Sequence, residues 1–210
     1  MIGSLIVKEG GEAIAPVDAG VHQAICYAIY DLGTQYSPVY DKSSRKCVII
    51  WELPDRRIEI VKDGQTLNLP RAISKQYTLS LGEKANLRKD LETWRGKAFS
   101  QEELAGFDIS KLVGVNCMLQ VLHKVNGDKT YANIVSILPL YKGINKLEPE
   151  NPLIVYTLDQ GTPPETTPKW IAKIISESAE MKASDGVVAA TPEQFPDSLA
   201  DNPDDSEVPF

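Results

Sequence analysis

Two dipeptides, Asp63-Gly64 and Asn126-Gly127, do most to limit what this chain can become. Asp-Gly and Asn-Gly suit the two central places of the tight turns whose twist matches that of paired strands, because both places need a positive φ. Each dipeptide lies between stretches rich in β-forming residues. The chain is therefore expected to hold a projecting ribbon over Arg56 to Pro70 and a strand pair made of Asn116 to Lys124 and Lys129 to Leu138. Three further runs read as strands. Val21 to Leu32 ends at Gly33. Cys47 to Leu53 is apolar on both faces except at Glu52, and Pro54-Asp55 breaks it. Arg71 to Leu79 sets Ile73, Lys75, Tyr77 and Leu79 on one face and Ser74, Gln76 and Thr78 on the other.

Between the third strand and the last pair the period changes. Ser80-Leu81-Gly82-Glu83 has the spacing of a capping box, in which a serine and a glutamate satisfy each other's free amides at a helix start. Leu87, Leu91 and Trp94 then recur at helical spacing, Arg88, Lys89, Glu92 and Arg95 face outward, and Gly96 can supply a left-handed cap. Ser100-Gln101-Glu102-Glu103 is a second capping box, opening a short helix that Gly106 closes, and Trp94 and Phe107 are expected in the core. Three strands, a helix and a two-strand hairpin is the element order of an OB-fold. The expected class is mainly β: a five-stranded OB-fold barrel with an inserted helix, an extra β-ribbon and a C-terminal helix. Strands two and three, with loops one-two and four-five, form the usual ligand face of such a barrel.

Composition divides the chain. Residues 1–19 read as an N-terminal arm able to add an edge strand, 20–142 as the barrel, 143–183 as an extension and 184–210 as a disordered acidic tail. The extension holds a short strand candidate, Leu153 to Tyr156, and a helix opening at Thr167-Pro168. The stripe of Trp170, Ile171, Ile174, Ile175 and Met181 on that helix is expected to dock on its own domain or on a dimer mate. The net charge of −7 hides an asymmetry: residues 20–142 carry 17 Lys and Arg against 13 Asp and Glu, whereas the tail has seven acids and no base. A mildly cationic body joined to an anionic tail suits a binder of polyanions. The three cysteines, Cys26, Cys47 and Cys117, lack ligand spacing and sit in apolar runs, as buried thiols of a reducing compartment do. No membrane span or signal peptide is legible, so a cytoplasmic protein is expected. With two histidines and no GxxxxGK[ST], GxSxG or HExxH, neither a catalytic site nor a cofactor or metal site is expected.

Single-strand binders stack bases on aromatic rings and track phosphates with Lys and Arg. Tyr36, Tyr40, Trp51, Tyr77 and Tyr131, interleaved with Lys42, Arg45, Lys46, Arg71, Lys75 and Lys129, fall on the expected ligand strands and loops and form the candidate DNA-binding set. Tyr36 and Tyr40, beside bases and away from strand packing, are the leading stacking residues. The chain ends in Asp204-Asp205-Ser206-Glu207-Val208-Pro209-Phe210, three carboxylates before a terminal Pro-Phe. That ending resembles the C-terminal tip of bacterial and phage single-stranded DNA-binding proteins, with Val208 where isoleucine is usual. Asp31-Leu32-Gly33-Thr34-Gln35, Glu83 to Leu91 and Lys129 to Ile134 are similar to stretches of phage-encoded members of that group. The ribbon and the inserted helix depart from the compact bacterial domain. The resemblance implies binding of single-stranded DNA within the host cell, in phage replication, recombination or repair. It also implies recruitment of partner enzymes through Asp204, Asp205, Glu207, Pro209 and Phe210. Two other readings stay open: an OB-fold interaction or recombination-mediator protein in which DNA is secondary, and a nuclease or polymerase accessory with an acid-based metal site.

Overall fold

The computed structural model describes residues 15–62 and 64–185. The chain is mainly β. Its elements are β1 (Gly20–Ser37), β2 (Lys42–Lys62), β3 (Gln65–Thr78), α1 (Asn86–Arg95), α2 (Gln101–Ala105), β4 (Asn116–Asn126), β5 (Lys129–Pro139), β6 (Ile154–Tyr156), α3 (Lys169–Ser176) and α4 (Ala179–Asp185). Five strands follow the order β3-β2-β1-β4-β5, all antiparallel, and β6 is a sixth beside β1. β4 pairs with β1 only up to Ile25; from Ala28 to Tyr30 the same edge is taken by β6, running parallel. The hydrogen-bonded ladder does not close into a ring. β3 and β5 are its end strands, and Lys75 Nζ on β3 reaches across to donate to the Ile134 carbonyl on β5 at 3.1 Å.

Gly64, between β2 and β3, and Asn126-Gly127, between β4 and β5, stand at the hairpins expected of them, with Gly64 at φ 78° and Gly127 at φ 57°; Asp63 lies outside the described residues. The strands are longer than the sequence runs. β1 continues through Gly33 to Ser37, so Thr34 to Lys46 is a hairpin end with a turn of only Pro38 to Asp41. Pro54-Asp55 does not break β2. The register shifts between Leu53 and Arg57, and this bulge absorbs the proline, which has no N–H to give to a ladder. The ribbon and the third strand are therefore one continuous β3.

The helix expected from Ser80 begins later, at Asn86, without its capping box. The Ser80 hydroxyl accepts from Gly82 N at 3.1 Å, the Ala85 amide bonds the Gly82 carbonyl, and this turn pulls Ala85 into the core before the helix can start. Gly96 does cap α1 in the left-handed region, and Ser100 with Glu103 makes the reciprocal box that opens α2. Leu87, Leu91 and Trp94 of α1 are buried as expected. Arg95 is not an outward residue: it lies over Phe99 and Phe107, at 4.4 and 4.9 Å from their ring centres, and is paired with Glu103.

Two apolar layers result. Inside the curled sheet, Ala24, Cys26, Cys47, Ile49, Trp51, Leu53, Ile73, Tyr77, Cys117, Leu119, Val121, Ile134 and Ile137 pack with α1. At the Gly20 end Val17 seals this layer. Its carbonyl bonds His123 Nε2, while those of Asp18 and Ala15 bond His22 Nε2 and Arg71 Nη1. Residues 15–19 thus pack on the core without forming a strand; the rest of the arm lies outside the described residues. On the opposite face of β1 and β2, Ala28, Tyr30, Leu32, Val48 and Ile50 pack against Tyr156, Ile171 and Ile175. The single helix expected there is two, and the stripe, Trp170, Ile171, Ile174 and Ile175 on α3 with Met181 on α4, docks on its own chain.

Candidate nucleic-acid interface

The eleven residues expected to contact DNA part into three groups. Two are core. Trp51 has no exposed surface and its ring lies 5.8 Å from that of Trp94; Tyr77 is buried and its hydroxyl donates to Asp90 Oδ2 at 2.7 Å. Burial, with the nearby Asp90 carboxylate, pushes the Tyr77 phenol well above its ordinary range. Expected to stack on bases, both rings are instead buried in the core and offer no exposed face in this structure. Cys47, Ile49, Trp51 and Leu53 alternate inward along β2 while Val48 and Ile50 alternate outward, and a run apolar on both sides hides which parity is which.

Lys75, Arg45 and Arg71 make hydrogen bonds within the protein. Lys75 Nζ donates to Asp90 Oδ2 at 2.7 Å as well as to Ile134, fastening α1 across the gap between β3 and β5. Arg45 forks onto Asp31, with Nη2 to Oδ2 at 2.5 Å and Nε to Oδ1 at 3.3 Å, and the charges of Glu180 and Asp159 also act on it. Phosphate would have to displace or approach three carboxylates there. Arg71 is spent on the carbonyls of Ala15 and Arg57.

Six residues remain at the surface in two places. Tyr36, 60% exposed, and Tyr40, 45% exposed, flank the β1–β2 turn with exposed Lys42; Lys46 is half-buried farther along β2. Lys129 is exposed and Tyr131 half-buried on the β4–β5 hairpin. The ladders keep these groups apart. Ser37 pairs with Lys42 at one end of β1, whereas Gly20 at the other end pairs with Val121, beyond which β4 and β5 run on to their turn. The β2–β3 ribbon also projects past the Gly20 end, where Arg56 Nε donates to His22 Nδ1.

The outer face of β2 is filled by the chain's own extension. Val48 and Ile50 lie under Ile171 and Ile175. Next on that face, Glu52 is wholly buried and accepts from Glu150 N and Asn151 N at 2.8 Å each and from Asn151 Nδ2 at 2.5 Å. Asn116 and Gln23 hold Leu147 and Asn145, so that residues 145–151 form a strap across the sheet. Asp31 to Gln35 proves to be the dock for α3 and α4. Asp31 accepts from Gly33 N, Thr34 donates its amide and hydroxyl to Glu180, and Gln35 Nε2 donates to the Ile174 carbonyl at 2.9 Å. Gly33 sits at φ 71° with Ser178 so close that an added Cβ would meet its Cβ at 2.6 Å.

Sequence reasoning missed Asp41. It holds φ 47°, and its carboxylate accepts from the Tyr36 hydroxyl at 2.7 Å. The signal was an aspartate in a turn, one of the few side chains that tolerate the left-handed region.

The three cysteines are free and buried, and burial raises each thiol, Cys47 to about 12. Among the described residues no cluster of His, Cys, Asp and Glu could hold a metal ion, and no helix is long and apolar enough to cross a membrane. Asp204, Asp205, Glu207, Pro209 and Phe210 lie outside the described residues. No protein-family model, curated protein or solved structure matches the chain.

Proposed function

We propose that the chain is a sequence-tolerant single-stranded DNA-binding protein on an OB-type barrel. In this reading it is non-enzymatic and cofactor-free, acts in phage replication, recombination or repair in the host cytoplasm, and recruits partner enzymes through its acidic tip. The strand order supports the barrel: β3-β2-β1-β4-β5, with α1 lying between β3 and β4 in sequence and packed across the two end strands, is compatible with a partly open five-stranded Greek key. The observation that carries the DNA reading is the β1–β2 turn, where two exposed tyrosines stand beside Lys42. Exposed rings beside an ammonium are what a base and its phosphate require, and every base offers a face to stack.

The test is a fluorescence titration of labelled oligo-dT at two salt concentrations. Binding should weaken with salt. Lys42→Ala should flatten that dependence by about 0.7 in the log–log slope if it contacts one phosphate. Tyr36→Ala or Tyr40→Ala should cost about 1–3 kcal/mol of affinity with melting temperature unchanged. Micromolar or weaker binding that ignores salt would sink the reading.

A second reading is an interaction or mediator protein in which DNA is secondary. The filled outer face of β1 and β2 favours it, because the surface such barrels usually offer to nucleic acid is occupied here by α3 and the strap. Absence of oligo-dT binding together with capture of a partner that requires Phe210 would select it.

A further inference from the structure

We infer that Asp41 is a positioning residue of the β1–β2 turn, holding the Tyr36 ring in the pose in which it stacks on a base of single-stranded DNA; the inference rests on the reading just given. Tyr36 stands on β1 opposite Ser43, and the Ser37–Lys42 pair closes the turn behind it. At 60% exposure the ring has little packing to fix its rotamer. What holds it is the hydrogen bond from its hydroxyl to Asp41 Oδ1, 2.7 Å long, made across the turn.

Asp41 can make that bond because it adopts φ 47°, a conformation that Asp, Asn and Gly accept and most side chains do not. Gly would satisfy the backbone and leave the phenol unheld. Asn would satisfy both. The carboxylate is at first sight the wrong choice beside a polyanion, since its charge partly cancels that of neighbouring Lys42. An exposed ring that must be ordered on binding loses affinity for that ordering, by about 0.5–1.5 kcal/mol or roughly two- to tenfold. Ordering it beforehand through Asp41 removes the loss. The bond also draws the Tyr36 hydroxyl above its ordinary titration range, the hydrogen bond contributing more than burial, and this gives a signature independent of DNA.

The experiment uses the full chain and labelled oligo-dT with five variants. Asp41→Gly keeps the backbone and removes the acceptor; Tyr36→Phe keeps the ring and removes the donor. Each is expected to weaken binding about three- to fivefold, and the double variant no further, because one interaction is being removed twice. Asp41→Asn keeps an acceptor and drops the charge, so it should bind at least as tightly as the parent. Ultraviolet titration of the tyrosines should show one phenol ionising at lower pH in Asp41→Gly. If Tyr36→Ala weakens binding while Tyr36→Phe and Asp41→Gly bind like the parent, Asp41 is a turn residue only and the inference fails while the stacking site stands. If Tyr36→Ala itself binds like the parent, the stacking site fails and takes the inference with it.

Discussion

Gly33 and Glu52 show how single residues tie the extension to the sheet. At φ 71°, with Ser178 pressed against its Cα, Gly33 has room for nothing larger. Gly33→Ala combines a left-handed alanine, at about 1–2 kcal/mol, with a clash that α4 must yield to relieve. A loss of about 2 kcal/mol or more in urea denaturation is expected; a loss under about 0.5 would mean that α4 moves freely aside. Glu52 offers two oxygens to three N–H groups, and Glu52→Gln replaces one of those acceptors by a donor facing donors. It should cost about 1–3 kcal/mol by the same measurement, the penalty of leaving a buried polar group unmatched. In sequence Glu52 was visible only as the one polar residue of an apolar strand. Its partners lie 98 and 99 positions away, and nothing local announces them. Trp51 and Tyr77 were misread for a related reason: an aromatic in a strand looks the same whether its neighbours across the sheet cover it or leave it bare.

Among the elements, the hairpins and the order of strands were legible because a turn dipeptide acts through its own backbone. The breaks were less legible, because tertiary pairing overrode local signals. Pro54 should have ended β2 and is instead taken up in a bulge, and Ser80 should have capped a helix but is drawn into a turn at the end of β3. α4 is held by polar contacts, and those have a pH dependence. Burial pushes the Glu180 carboxyl up, but the Thr34 hydroxyl and amide and the Arg45 guanidinium together hold it below its ordinary range. A carboxylate depressed in the folded state stabilises it above the unfolded pKa and loses that contribution as pH falls through the folded one. Hydrogen exchange over Ala179 to Lys182 should therefore speed up, relative to the β-sheet, as pH drops below the carboxylate range after correction for intrinsic rates. Glu180→Gln should exchange fast already at neutral pH. Equal protection of these amides in parent and variant would leave Glu180 without a role in docking.

On the scale of the molecule, the sequence division at residue 142 runs through a single packed body. Residues 28, 30, 32, 48 and 50 are covered from beyond that division, by Tyr156, Ile171 and Ile175. Ile171→Ala should cost about 2–5 kcal/mol, as deletion of a buried branched side chain does elsewhere. A chain ending at residue 142 should melt far lower or aggregate, because it bares that face. A chain ending at residue 185 retains every described contact and should melt with the parent. If the two truncations melted alike, the outer layer would contribute nothing to the fold.

The two layers also differ in when they can form. On a ribosome, the inner layer has all its residues once Ile137 has emerged, but the outer one waits for Ile175. At about 5–20 residues per second, the gap between those moments is roughly 2–8 s. For that interval each nascent chain displays a bare strip of Ala28, Tyr30, Leu32, Val48 and Ile50 next to whatever neighbours it on the polysome. Crowded translation of this protein should therefore depend on holdase chaperones, and a slow codon placed before residue 175 should lower its soluble yield.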